Sequence, residues 1–295
     1  MCPTPAAAGR RLVTSTVAAL ILVGVSAGVN AQELSIEVRS RSLRQGEAVL
    51  VTISTPADTP SITVDAFGTR WSAFRVTSTS WRALIGIDLE CRPGTYPVVA
   101  ETSGNHVLRA THDLVVVKRD VRVRVLKVAP DYVNPPPALL ARIRSEAQFM
   151  TAVYEHSSPE PTWEGGLQRP VPETANSSFG TRSVFNGEPR SPHAGTDFLS
   201  PAGTPISAPA GGRILAAREL FFTGNTIVID HGLGVFSMLA HLSRIDVHEG
   251  DSVRAGDILG LVGATGRVTG PHLHWAMRVG SARVDPLSAL ALFTD

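Results

Sequence analysis

Gly266-Arg-Val-Thr-Gly-Pro-His-Leu-His274 decides how the C-terminal half of this chain folds. Thr269-Gly270-Pro271 reads as a turn, and two histidines two positions apart follow it. On a strand both side chains leave the same face, roughly 6.5–7 Å apart along it. Working outward, 16 of the 26 glycines lie between 180 and 295, with short β runs such as Ile227-Val-Ile229 and Ile258-Leu-Gly-Leu-Val262 between them. No helical period of useful length appears until the last ten residues. The pattern predicts an all-antiparallel β domain with tight turns.

Two further pieces can join that histidine pair: His193-Ala-Gly-Thr-Asp197 and Ala240-His241-Leu242. A metal that activates water needs a few N and O ligands plus a nearby base, and this cluster supplies both. Pro192, Gly195 and Pro201 argue against a helix at His193. An extended path would hold His193 and Asp197 about 13 Å apart, so the chain must bend, and Gly195 is placed to permit it. Spacing leaves open which histidines bind and which stay unbound. A lone His-x-His or His-x-x-x-Asp is as readily a structural feature as a metal site.

Ahead of this region, Leu34 to Lys118 is mostly β. Ile36 and Val38, then Val49, Val51 and Ile53, then Ile62 and Val64, Tyr96 and Val98, and Leu114 and Val116 alternate with other residues. Gln45-Gly46, Pro93-Gly94 and Ser103-Gly104-Asn105 mark turns. The expectation is an N-terminal antiparallel β-sandwich, immunoglobulin-like, over 32–118. Its role is read as wall binding, partner binding or spacing, with a regulatory protein as one candidate partner. A connector over 119–178 follows. It carries a strand from Val121 to Val125 and one helix starting at Asn134-Pro-Pro-Pro137, with Leu139, Leu140, Ile143, Ala147, Met150 and Tyr154 at helical spacing. Such a segment is expected to lie across the site and restrain access. The C-terminal all-antiparallel β domain occupies 179–295.

Residues 1–31 read as an export signal: Arg10-Arg11, an apolar run from Leu12 to Val29, and Val29-Asn-Ala31 as cleavage site. Without them the chain carries 25 basic and 26 acidic residues, which argues against nucleic-acid binding. No other stretch reads as membrane-spanning, and Cys2 lacks a lipidation context. Cys91 is then the sole cysteine and is expected to be a small buried apolar group.

From Phe185-Asn-Gly187 through Pro286 the chain closely resembles the lysostaphin-like (LytM-type) zinc metallopeptidases that cut peptidoglycan. The matching motifs are His193-Ala-Gly-Thr-Asp197, Gly203-Thr-Pro-Ile-Ser-Ala208, Ile229-Asp-His-Gly232, Ala240-His-Leu242, Gly256-Asp-Ile-Leu-Gly260 and Gly266 to His274, in the family's order. The resemblance implies one zinc ion per chain, held by His193, Asp197 and His274. It implies His241 and His272 as the unbound catalytic histidines, with His272 taken as base and His241 as oxyanion stabiliser. It implies hydrolysis of peptide cross-links on peptidoglycan stems, outside the cytoplasm: in the periplasm, with secretion as the alternative. Some members have lost ligands and serve as activators of amidases or as silent wall-binding regulators. This chain keeps all five positions. Leu239 departs from the family, where many members carry an aromatic, and is read as a difference in packing or in a substrate subsite rather than in chemistry. Arg190 and Asn225 lie near motif positions and are candidate substrate contacts. His231 is read as structural, and His106, His112, His156 and His248 as solvated.

Two other chemistries fail on composition. The segment from Val247 to Gly260 resembles a lipoyl-type hairpin, but the only lysines are Lys118 and Lys127, both outside it. A cupin-type metal site needs a Glu after His-x-His, and none follows His274.

Overall fold

The computed structural model describes residues 33–292 apart from 105–106, 164 and 177–178. The export segment, Cys2 and His106 lie outside the described residues. Among the described residues no helix is long and apolar enough to cross a membrane.

Eight strands build the first unit: β1 (Ser35–Arg39), β2 (Ala48–Ser54), β3 (Ile62–Ala66), β4 (Thr69–Trp71), β5 (Ala73–Thr77), β6 (Ser80–Gly86), β7 (Gly94–Thr102) and β8 (Arg109–Val116). They form two antiparallel sheets, ordered β1-β2-β6-β5 and β4-β3-β7-β8. Period-2 alternation sends Ile62, Val64 and Ala66 of β3 and Tyr96, Val98 and Ala100 of β7 into the shared core. Tyr96 closes the start of β7 by donating its hydroxyl to the Arg92 carbonyl at 2.7 Å. Cys91 is buried.

In β2 and β6 the alternation breaks, because both faces are covered. Ala48 and Leu50 are buried along with Val49 and Val51. The second cover is the C-terminal unit: a Cβ on Gly86 would lie 2.6 Å from Ala282 Cβ. Polar groups tie the same seam. Ser288 Oγ accepts from Ala48 N at 2.9 Å, and Gly46 O accepts from Asp285 N at 2.7 Å. Arg41 bridges the buried carboxylates of Glu47 and Asp285, at 2.7 Å to each, and Arg119 joins Glu47. Arg283 clamps Asp88 through two guanidinium contacts of 2.7 and 3.1 Å. Stranding a buried carboxylate such as Glu47 by removing its arginines typically costs about 3–5 kcal/mol.

The connector contributes β9 (Val123–Leu126), a single 3₁₀ turn at Pro130–Tyr132, and α1 (Pro137–Val153). After it come β10 (Arg182–Phe185) and β11 (Glu188–Pro189). β9 runs parallel to β10, with Arg124 opposite Ser183. The valine alternation in β9 faces outward: Val123 is 65% and Val125 74% exposed, and Arg124 takes the inward face. Proline in the first turn of α1 costs no hydrogen bond there. The helix docks by its C-terminal half. Phe149 lies under the Arg218 guanidinium at 4.0 Å, Glu146 accepts from Phe221 N at 2.7 Å, and Tyr154 meets Phe236 edge-on at 5.2 Å. Downstream, Ser157 and Ser158 bond Asp230, and Thr162 bonds the Gly211 and His231 carbonyls.

The C-terminal unit comprises β12 (Gly195–Phe198), β13 (Pro205–Ser207), β14 (Gly212–Leu220), β15 (Gly224–Asp230), β16 (Val235–Ile245), β17 (Ser252–Val253), β18 (Ile258–Val262), β19 (Leu273–Val279), β20 (Ala282–Val284) and α2 (Pro286–Leu290). Its main path is β12-β19-β16-β15-β14-β17, with every pairing antiparallel. β13 and β18 pair beside β16, and β20 pairs with β19. Trp275 and Phe198 fill the core beneath β12 and β19.

Candidate metal centre and the histidines around it

Three adjacent strands set the site. In β12 Asp197 sits opposite His274 of β19, and His274 sits opposite Ala240 of β16. His193 enters from the residues just before β12. His274 Nδ1 lies 2.9 Å from Asp197 Oδ1, His193 Nε2 lies 3.1 Å from the same oxygen, and the two imidazole nitrogens are 2.9 Å apart. A tetrahedral ion with bonds near 2.0–2.1 Å has ligand atoms about 3.3 Å apart, so the three atoms form one slightly tight triangular face. The donor set, two imidazoles and one carboxylate with a fourth direction open, fits a hydrolytic metal ion.

Two more imidazoles border this triangle without joining it. His272 Nε2 is 3.9 Å from Asp197 Oδ1, and its Nδ1 is 2.9 Å from the Gly270 carbonyl. His241 Nδ1 is 2.8 Å from the Thr265 carbonyl, and the His241 and His272 ring centres are 4.9 Å apart. A carbonyl can only accept, so each ring donates from Nδ1, and in the neutral ring it is Nε2 that carries the lone pair.

His241 gains this position through a break in strand regularity. On an even strand it would share the face of Leu239, which is fully buried against the core. The pairing of β15 with β16 slips between Asn225 and Ile227, and His241 has φ +69°, the left-handed region that β-rich residues rarely adopt. The resulting bulge turns the imidazole out. Leu239 stays a packing residue.

Burial opposes charge on Asp197, His274 and His241, and only at Asp197 do the partners outweigh it. Burial alone would raise the Asp197 carboxyl, but hydrogen bonds from His193 and His274 outweigh it and hold the group well below the usual carboxylate range. Burial keeps His274 below its ordinary value, hence neutral and able to donate a lone pair. Burial, with the neighbouring His274 and His272 rings, pushes His241 down to about 3. Outside this circle, Arg124 Nη1 of β9 stands 3.9 Å from Asp197 Oδ2 while its Nε donates to Ser183 Oγ at 3.1 Å. Nothing in the sequence pattern pointed to Arg124. Thr196, next to Asp197, donates to Asp285 Oδ1 at 3.1 Å.

Single residues around the site take the following places. Gly195 makes no left-handed bend. Its place is set by space, since a Cβ there would lie 2.4 Å from His274 Cε1. Asn225 Nδ2 donates to the Leu242 carbonyl at 3.1 Å, which is a turn-holding role. Arg190 donates to the Val133 carbonyl and to Glu188. His231 is buried between the Gly211 carbonyl and Ser237 Oγ, and burial holds it neutral. His156 and His248 are exposed and His112 is half-buried. The connector reaches this face too: Met150 and Tyr154 border a small pocket with Ala194, Met238 and Ala276, the last being the register partner of Gly195.

Comparison with known proteins agrees with this geometry. Residues 191–286 match the model of peptidase family M23. Over 96 residues the chain is 44% identical to the DD-carboxypeptidase/endopeptidase Mpg of Neisseria meningitidis, covering 32% of this chain and 22% of that protein. Over 98 residues it is 43% identical to the peptidoglycan DD-endopeptidase ShyA of Vibrio cholerae, covering 33% of this chain and 23% of that one. The matched stretch is therefore under a quarter of either relative's length. A solved structure from Pseudomonas aeruginosa, described as an M23 peptidase, is similar over far more: 86% of this chain and 95% of that chain, at 33% identity and a TM-score of 0.65. A match of that extent takes in the sandwich and connector as well as the histidine-bearing sheet, and the chain belongs to peptidase family M23.

Proposed function

We propose that this chain is a zinc-dependent endopeptidase that hydrolyses peptide cross-links of peptidoglycan in the periplasm. One observation carries the reading: three ligand atoms 2.9–3.1 Å apart face two further imidazoles whose Nδ1 atoms are tied to carbonyls. His193, Asp197 and His274 would hold one ion per chain. Bound there, zinc supplies a Lewis acid that polarises a carbonyl and acidifies water. His272, with its Nε2 lone pair turned to the triangle, takes the proton of the attacking water. His241, on the other side of the triangle, is placed to stabilise the developing oxyanion. The names of the two relatives, a DD-carboxypeptidase/endopeptidase and a peptidoglycan DD-endopeptidase, support a bond next to a D-residue as the target.

Retention of both histidine sets speaks against a silent regulator of amidases. For the N-terminal unit, the strand order β1-β2-β6-β5 over β4-β3-β7-β8 and the Tyr96–Arg92 bridge support an immunoglobulin-like sandwich. The test is digestion of purified peptidoglycan by the zinc-loaded protein, with released muropeptides identified by mass spectrometry. Intact sacculi after incubation would reject the proposal.

A further inference from the structure

Beside the loop that anchors the two unbound histidines stands one guanidinium with no carboxylate against it among the described residues. The loop from 263 to 271 supplies the carbonyls of Thr265 and Gly270 that anchor His241 and His272, and Arg267 lies on it. Its guanidinium sits 5.0 Å from the Phe185 ring centre and 4.7 Å from that of Phe222. Among the described residues no carboxylate or carbonyl pairs with it. Arg190 stands close enough for the two like charges to repel, and its buried Nε–H has no acceptor. Glu188 and the Val133 carbonyl occupy only the far end of Arg190.

Leaving a buried donor unpaired is costly, and two adjacent guanidiniums are costlier still. The arrangement is also held rigidly. Arg267 N donates to the Phe222 carbonyl at 2.8 Å. Gly266, at φ +76°, lies so close to the next loop that a Cβ would be 2.4 Å from Gly224 N. The two phenyl rings fix the plane of the guanidinium while leaving its N–H edge unused. A rigid fork of this kind matches a carboxylate.

We propose that Arg267, backed by Arg190, forms a subsite that recognises a free carboxylate on the peptide substrate close to the bond being cut. This rests on the endopeptidase reading above and names the chemistry that reading leaves open. Stem peptides carry such carboxylates on residues flanking a cross-link, and the subsite selects among them.

The test compares two substrates, a cross-linked muropeptide dimer and the same dimer with its carboxyl groups converted to carboxamides. Zinc-loaded parent protein is expected to favour the carboxylate form about ten- to a hundredfold in kcat/KM, mainly through KM, as a charge-assisted pair implies. Arg267→Met keeps the side chain between the rings and should bring that ratio to near one. Arg267→Lys keeps the charge without the fork and should give an intermediate ratio. Melting temperature and zinc content report on folding, and should Met not be tolerated, the parent ratio and the Lys variant decide. Equal cleavage of both dimers by the parent, or an unchanged ratio in Arg267→Met, overturns the subsite and leaves the peptidase reading standing. Cleavage of neither dimer removes the peptidase reading and the subsite with it. Stabilisation of the parent by inorganic phosphate with no preference between dimers marks an anion pocket unconnected to substrate, and also overturns the proposal.

Discussion

Gly195→Ala puts one methyl group where the structure has no room. A Cβ at 195 would lie 2.4 and 2.5 Å from Cε1 and Nε2 of His274 and 2.8 Å from the Trp275 carbonyl, against an ordinary contact of 3.4–4 Å. The carbonyl belongs to the backbone of β19 and cannot yield cheaply, so the imidazole must retreat by about 1 Å if it moves alone. Metal–nitrogen bonds tolerate about 0.2 Å, so the retreat takes His274 out of coordination. The expected result is a zinc affinity lowered at least about a hundredfold, beyond the 10–100-fold usual for disturbing a ligand's supports. Overpacking adds about 1–3 kcal/mol of destabilisation, or roughly 2–10 °C in the apo melting temperature. Competition against a chromophoric chelator gives the affinity, and circular dichroism gives the melting curve. An alanine variant that binds zinc within about threefold of the parent would refute the claim that Gly195 exists to admit His274.

Other substitutions separate the roles around the site. His193→Ala should lose both bound zinc and peptidoglycan digestion, whereas His272→Ala should keep its zinc and lose digestion by about 10²–10⁴-fold, checked by metal analysis and turbidity loss of sacculi. Asp88→Asn tests the clamp on Arg283. Burial would raise the Asp88 carboxyl, but hydrogen bonds from Arg283 lower it on balance. Its stabilisation is therefore full above the ordinary carboxylate value and fades as pH falls through the depressed one. The variant should be less stable by about 1–2 kcal/mol at pH 7 and match the parent in strong acid, as melting curves across pH will show. Removing α1 with its C-terminal cap (residues 137–154) should raise the initial rate on cross-linked sacculi severalfold, because Met150 and Tyr154 leave the face that carries His274; an unchanged rate would mean the helix only packs.

The sequence carried the chemistry of the site further than its shape. The alternating apolar runs and the His-x-His spacing place β3, β7 and β19, because side-chain direction on a strand follows from parity alone. His241 was legible as a residue but not as a geometry, since its outward turn depends on a slipped pairing with Asn225 and Ile227, sixteen and fourteen positions away. The valine alternation of β9 marked a strand but not which of its faces is covered. The parallel partner β10, nearly sixty residues on, decides the face and brings Arg124 to Asp197. The helix periodicity of α1 was readable, whereas its docking through Phe149 and Tyr154 rests on Arg218 and Phe236, which no local window contains. Burial of Ala48 and Leu50 escaped the alternation for a similar reason: another domain covers them.

Asp285 has a consequence for how such chains can be recombined. One carboxylate takes Thr196 on one side and Arg41 on the other, so the front module shares a fastening with the residue beside Asp197. The boundary between the modules is a weld rather than a swivel, and a grafted front end lacking an arginine at that spot would hand its host a misfit felt one residue away from Asp197.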